Sequence, residues 1–161
     1  EGWPRALEPA YLPVAGRPAS PARAVEIARA WLGTPYVHQA SAKGQGTDCL
    51  GLIRGVWREL YGCDPETPPA YTRDWAEGSG LETLLAAAGR HLVAVPSTAA
   101  GPGDVLVFRY RPGLPAKHVA ILASTASFVH AMEGGPVTEV ALTPWWRRRI
   151  AGVYSFPGIE S

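Results

Sequence analysis

Residues 48–62 read Asp-Cys-Leu-Gly-Leu-Ile-Arg-Gly-Val-Trp-Arg-Glu-Leu-Tyr-Gly, and within them Leu52, Ile53, Val56, Trp57 and Leu60 fall at i, i+1, i+4, i+5 and i+8. That spacing is one apolar face of a 3.6-residue helix, and Asp48 and Gly62 are residue types that start and stop helices. Upstream, Ser20-Pro21 reads as a cap followed by proline in the first turn. With Val25, Ala28, Trp31 and Leu32 on one face before Gly33, this predicts a helix over 21–32. Residues 33–47, with Gly33, Pro35, Gly44 and Gly46, read as a loop, and 63–79 as a second loop rich in Pro and Asp. Leu81, Leu84, Leu85 and Ala88 predict a short third helix stopped by Gly89. From residue 91 onward the texture is β-type, with apolar runs at 91–95, 105–110, 118–123, 127–131, 137–142 and 150–156. Helices first and hairpin-spaced strands afterwards predict an α+β domain, with N-terminal helices packed on an antiparallel sheet of about five to six strands.

The chain has 161 residues, 47% apolar and 18% charged, which suits one domain with its own core. Residues 1–19 carry Pro4, Pro9, Pro13 and Pro18 and read as an extended arm; 20–157 is the domain and 158–161 a short tail. A formal charge of +1, from 13 Arg and 2 Lys against 14 acids, supplies no field to hold a nucleic-acid backbone. The apolar runs fall far short of the roughly 18 residues of a membrane span. The opening Glu1-Gly2-Trp3-Pro4-Arg5 has neither the basic nor the apolar part of a leader.

Two cysteines, Cys49 and Cys63, flank the strongest helix. At 1.5 Å rise per residue they stand about 18 Å apart, well beyond a disulfide's reach, so both are read as thiols. Cys49 sits at the first helical position, where unpaired amides and the helix dipole favour a thiolate, so it is expected to alkylate faster than Cys63. The same amides suit the oxyanion formed when a thiolate attacks a carbonyl. Its bland alternative is a buried filler.

A cysteine nucleophile needs a base, and the base needs something to orient it. His118 and His130 flank a predicted hairpin turning near Ser124-Thr125, which sets them opposite one another to within about one residue. His118 is the candidate base and His130 its orienting partner. An ordinary exposed cross-strand pair, or a zinc site of Cys49, His118 and His130, are the competing readings, although the spacing fits no zinc motif. His38 and His91 are read as ordinary surface or core residues.

Five stretches taken in order resemble the NlpC/P60 cysteine peptidases: Gly33-Thr34-Pro35-Tyr36, Thr47-Asp48-Cys49-Leu50-Gly51-Leu52, Pro102-Gly103-Asp104-Val105-Leu106, His118-Val119-Ala120-Ile121 and Phe128-Val129-His130-Ala131. The resemblance implies a papain-like fold and cleavage of bacterial peptidoglycan stem peptides between D-γ-glutamate and a diamino acid such as diaminopimelate. It implies Cys49 as nucleophile, His118 as general base, His130 as the third polar group and Tyr36 as the active-site tyrosine. Asp48 and Asp104 match recurrent acids read as structural, Asp48 lying within the active-site group as the cap beside the nucleophile. No metal or organic cofactor is implied.

The chain departs from the family pattern at Leu50, where serine usually follows the nucleophile, and at Val37-His38-Gln39, which replaces a frequent Trp-Gly-Gly. This texture resembles the members encoded with phage tails and gene transfer agents. That subgroup implies tail-tip or baseplate partners, synthesis in the cytoplasm, and action on the cell wall from a phage-like particle. The competing functions are a catalytically weak structural plug of a tail tip and a papain-like amidase or acyltransferase. Trp145-Trp146-Arg147-Arg148-Arg149 is the one basic-aromatic cluster. It reads either as a surface for sugar rings or a tail-tip partner, or as two core tryptophans beside three solvated arginines.

Overall fold

The computed structural model describes residues 19–65 and 82–158. Most of the Pro-rich arm, most of the loop over 63–79, Leu81 and the end of the tail lie outside the described residues. The Ser20 hydroxyl accepts the amide of Arg23 at 3.0 Å and Pro21 opens helix α1 (Pro21–Ala30), with Trp31 as its C-terminal cap. Helix α2 (Cys49–Tyr61) runs between Asp48 and Gly62, whose φ of 81° is the left-handed turn that glycine takes without strain. Its apolar face, including Leu52, Val56, Trp57 and Leu60, is buried. The helices cross where Gly55 faces Trp31: a Cβ there would lie 2.1 Å from the indole.

Helix α3 (Thr83–His91) runs past Gly89, against the expectation that this glycine stops it, and delays the following strand to Val93. Glycine ends a helix by turning left-handed, and Gly89 is not among the positive-φ residues. Between α1 and α2 a small hairpin, β1 (Ser41–Ala42) with β2 (Gly46–Thr47), lies inside the stretch read as loop; two-residue strands leave no periodic trace.

The predicted β runs become six strands, trimmed at their ends: β3 (Val93–Val95), β4 (Val105–Phe108), β5 (His118–Ser124), β6 (Ser127–His130), β7 (Thr138–Ala141) and β8 (Ile150–Ser155). They form one sheet in the order β3-β8-β4-β5-β6-β7, antiparallel at every pairing. Both faces of its centre are buried, which is why these strands read as continuous apolar runs. Val105, Val107, Val119, Ile121 and Val129 share a core with α1 and α2. Leu106, Phe108, Ala120, Leu122 and Phe128 share a second with Leu142 and Trp146. Trp146 belongs to the short helix α4 (Pro144–Arg147), capped by Thr143. At the β4 entrance, the turn read from Asp104 is built as expected. Its carboxylate accepts the Gly101 amide at 2.9 Å and the Ser155 hydroxyl at 2.7 Å.

The hairpin of β5 and β6 is not regular. Ser124 pairs with Ser127, yet Leu122 pairs with Phe128 and Ile121 with Val129, so β5 carries one extra residue near the turn. Continued upstream, that register sets His130 beside Ala120, two residues from His118 and on the same sheet face. The expected direct opposition of the histidines is therefore corrected to a diagonal. Without the bulge a one-residue slip would send His130 to the other face. Among the described residues no helix is long and apolar enough to cross a membrane.

Replacing Gly55 with alanine is expected to cost about 1–3 kcal/mol through the forced retreat of Trp31. Urea unfolding should show a lower midpoint at unchanged slope; an unchanged midpoint would contradict the close helix crossing.

Candidate active site

Asp48 is 3% exposed, and its carboxylate is spent on backbone amides: Oδ1 accepts Gly51 N–H at 2.7 Å and Oδ2 accepts Gln39 N–H at 2.8 Å. The first bond caps α2; the second holds Gln39 at φ 64°, a left-handed conformation that costs a non-glycine residue about 1–2 kcal/mol. The same loop is stitched to β2 by Val37 N–H to Thr47 C=O and Thr47 N–H to Pro35 C=O, each 3.0 Å, which lays Tyr36 beside the helix start. Gly51 admits this approach because it has no side chain: a Cβ would stand 1.9 Å from the Ala40 carbonyl oxygen. Cys49 is thereby set at the first helical position, as expected.

A cleft of about 220 Å³ opens there. Tyr36, Asp48, Cys49 and Leu50 line it from the loop and α2; Tyr110, Lys117 and His118 line it from the β4–β5 side. His38, read from the sequence as an ordinary surface or core residue, also lines it. Cys49 and β5 meet directly, since the backbone N–H of Val119 acts on the Cys49 sulfur together with those of Leu50 and Cys49. His118 Nε2 and His130 Nδ1 are 2.8 Å apart, with the rings nearly perpendicular at 78°. His118 thus shares the cleft with Cys49, and His130 stands behind it in the sheet. Cys63, exposed beyond Gly62, is remote from it, and the two cysteines form no disulfide.

The histidines are 4% and 5% exposed, enclosed by aromatic rings. Phe108 and Tyr110 both stack on His118 at 5.9 Å, and Trp146 lies 5.9 Å from His118 and 5.6 Å from His130. Sequence reasoning missed these three as site residues. Phe108 is brought there by the β4–β5 register that pairs it with His118, which the sequence alone does not show. The basic-aromatic cluster divides: Trp146 belongs to the core, whereas Trp145 is 45% exposed with the Arg149 guanidinium 3.6 Å above its ring.

Burial pushes the His118 imidazole down to about 3, with His130 and Lys117 adding to the shift; burial takes His130 to about 4. Burial, with the Asp48 carboxylate behind it, pushes the Cys49 thiol up to about 12 against the pull of the three amides. The resting site is therefore a neutral thiol beside two neutral imidazoles. Burial and Asp48 therefore oppose the thiolate expected from the helix start, at a side chain that is half-buried at the cleft wall. Among the described residues no group of three or more His, Cys, Asp or Glu side chains is placed to hold a metal ion.

Two outcomes follow from these shifts. Both histidines bind protons in the unfolded chain near 6.5 but not in the folded one, so stability is full above pH 6.5 and falls as pH drops toward 4. At pH 5 the loss is on the order of 2 kcal/mol per histidine; the double variant His118→Gln/His130→Gln should flatten the slope of Tm against pH between 6.5 and 5. Iodoacetamide at pH 7.5 is expected to reach exposed Cys63 before Cys49. Peptide mass mapping that found Cys49 labelled first would show a thiolate populated despite its burial.

Residues 33–155 match the NlpC/P60 family model. The gamma-DL-glutamyl hydrolase of Bacillus subtilis is 28% identical over 138 residues, covering 84% of this chain; the chain spans 29% of that relative's length. Among solved structures, the NlpC/p60 domain of the peptidoglycan hydrolase SagA is matched over its full length and 86% of this chain, with a TM-score of 0.60 and 24% identity. An NlpC/P60 family protein from Bacillus cereus gives a TM-score of 0.63 at 20% identity, over 86% of this chain and 41% of its own. These likenesses at low identity carry the fold.

Proposed function

The chain belongs to the NlpC/P60 family, and from that premise we propose that it is a cysteine endopeptidase that hydrolyses the D-γ-glutamyl–diaminopimelate bond of peptidoglycan stem peptides. The observation that carries the reading is the junction of the α2 start with the β5 start. It sets Cys49 and His118 in one cleft, with His130 behind His118 at 2.8 Å. The glutamyl chemistry in the name of the Bacillus subtilis relative supports the choice of bond.

A neutral resting pair dictates the proton route. For His118 to act as base its Nδ1 must be unprotonated, so Nε2–H donates to His130 Nδ1. Cys49 then passes its thiol proton to His118 Nδ1 as sulfur bonds the carbonyl carbon, and helix-start amides not taken by Asp48 receive the oxyanion. His130, kept neutral by its burial, offers a lone pair to the imidazolium throughout. Collapse of the tetrahedral intermediate breaks the C–N bond and His118 protonates the leaving amine. His118 then deprotonates water, which attacks the thioester, releases the acid and returns the proton to sulfur.

The setting we propose is the tail of a phage-like particle, acting on the cell wall and docked to tail-tip proteins. Leu50 after the nucleophile, the Val37-His38-Gln39 variant and the proline-rich residues 1–19 support it. Proteomics of purified particles tests this setting; a particle lacking the chain would refute it.

Defined muropeptides read by mass spectrometry test the reaction. The wild type should release the diaminopimelate amine end and Cys49→Ala should not. His118→Ala is expected to lose at least about 10²–10⁴-fold in kcat/KM. His130→Gln should retain more, because a side-chain carbonyl can still accept from His118 Nε2–H; the reverse order would exchange the two roles.

A further inference from the structure

Beside the cleft lies a second opening of about 460 Å³, between the 109–113 turn and residues 148–151. Tyr110 lines both, so the two openings adjoin at this side chain. The two walls are held together by Arg109 N–H to Arg149 C=O at 2.8 Å and by Arg149 Nε to Tyr110 C=O at 3.2 Å. Three arginines line it, and their charges are not equivalent. Arg109 is paired with Glu82. Arg149 spends Nε and Nη1 on backbone carbonyls and stacks on Trp145. Among the described residues neither Arg148 nor Arg149 forms an ion pair with a carboxylate. The groove therefore holds guanidinium charge that no carboxylate among the described residues offsets, and the planar fork of Arg148 matches a carboxylate.

Its side of the reaction follows from His118. The group that protonates the departing amine stands next to it, and Tyr110 stacks on His118 at 5.9 Å, which is less than two extended residues of about 3.3–3.6 Å each. We propose that the groove is the leaving-group subsite, in which Arg148, assisted by Arg149, takes a carboxylate of the residue whose amine is released. This rests on the acyl-transfer reading above. A diamino acid with two carboxyl groups on the amine side supplies such a carboxylate.

The test uses an L-alanyl-γ-D-glutamyl-diaminopimelate peptide and its analogue with the diaminopimelate carboxylates amidated. The wild type should show a KM about tenfold lower for the acid. Arg148→Gln should raise KM for the acid about tenfold, with kcat within about twofold, and leave the amide unchanged. Arg148→Lys should recover part of the loss. Arg147→Gln, one residue away and bonded to the Thr125 carbonyl outside the groove, should change neither substrate. Equal KM values for acid and amide, or indifference to Arg148→Gln, would overturn the assignment while leaving the reaction standing. If neither peptide is cleaved, calorimetry with the Cys49→Ala protein decides. An Arg148-dependent preference for the acid in Kd upholds the subsite although the reaction has failed, and equal Kd values refute it.

Discussion

One buried carboxylate organises the cleft. Asp48 accepts from Gly51 and from Gln39, so a single side chain starts α2 and folds the preceding loop onto it. A carboxylate left unsatisfied at this depth would be costly, and these two amides hold both oxygens in place. The position of Cys49 at the first turn, the approach of Tyr36 through the Thr47 bridge and the left-handed Gln39 all depend on that arrangement. The arrangement also raises the thiol, because the capping carboxylate lies beside the sulfur it positions.

The second constraint is a register. β5 carries one more residue than β6 near their turn, and this brings His118 and His130 to one face, where their rings bond across a diagonal. The turn is anchored from outside the hairpin. Ser124 and Ser127 share a 2.7 Å hydroxyl bond, Ser127 donates to Glu139 on β7, and Glu139 takes a two-point contact from Arg29 at the end of α1. A helix and an edge strand thus help to hold the register on which the histidine pair depends. Aromatic rings then exclude water from the pair, which keeps both imidazoles neutral.

Much of this was legible in the chain. Strong periodicity over 48–62 located α2 and its cap, because a helix buried along one face writes its period into the residues. The six strands were legible as apolar runs, and Cys49, His118 and His130 were legible as chemistry. Gly89 misled because a glycine ends a helix only where the chain turns left-handed, and packing carries α3 past it. Phe108, Tyr110, His38 and Trp146 were not legible as site residues, since nothing local distinguishes a ring over an imidazole from a ring in a core.

By itself, then, the sequence determined the elements, their order and the reactive residue types, since capping, periodicity and side-chain chemistry are local properties. Only the tertiary structure decided the rest. It set the diagonal pairing of the histidines, because register depends on a bulge and its distant anchors. It set the protonation of the site, because desolvation depends on which residues from distant parts of the chain exclude water. It also joined the cleft to the arginine groove, because Tyr110 and Arg149 meet only when β4 and the segment after α4 pack side by side.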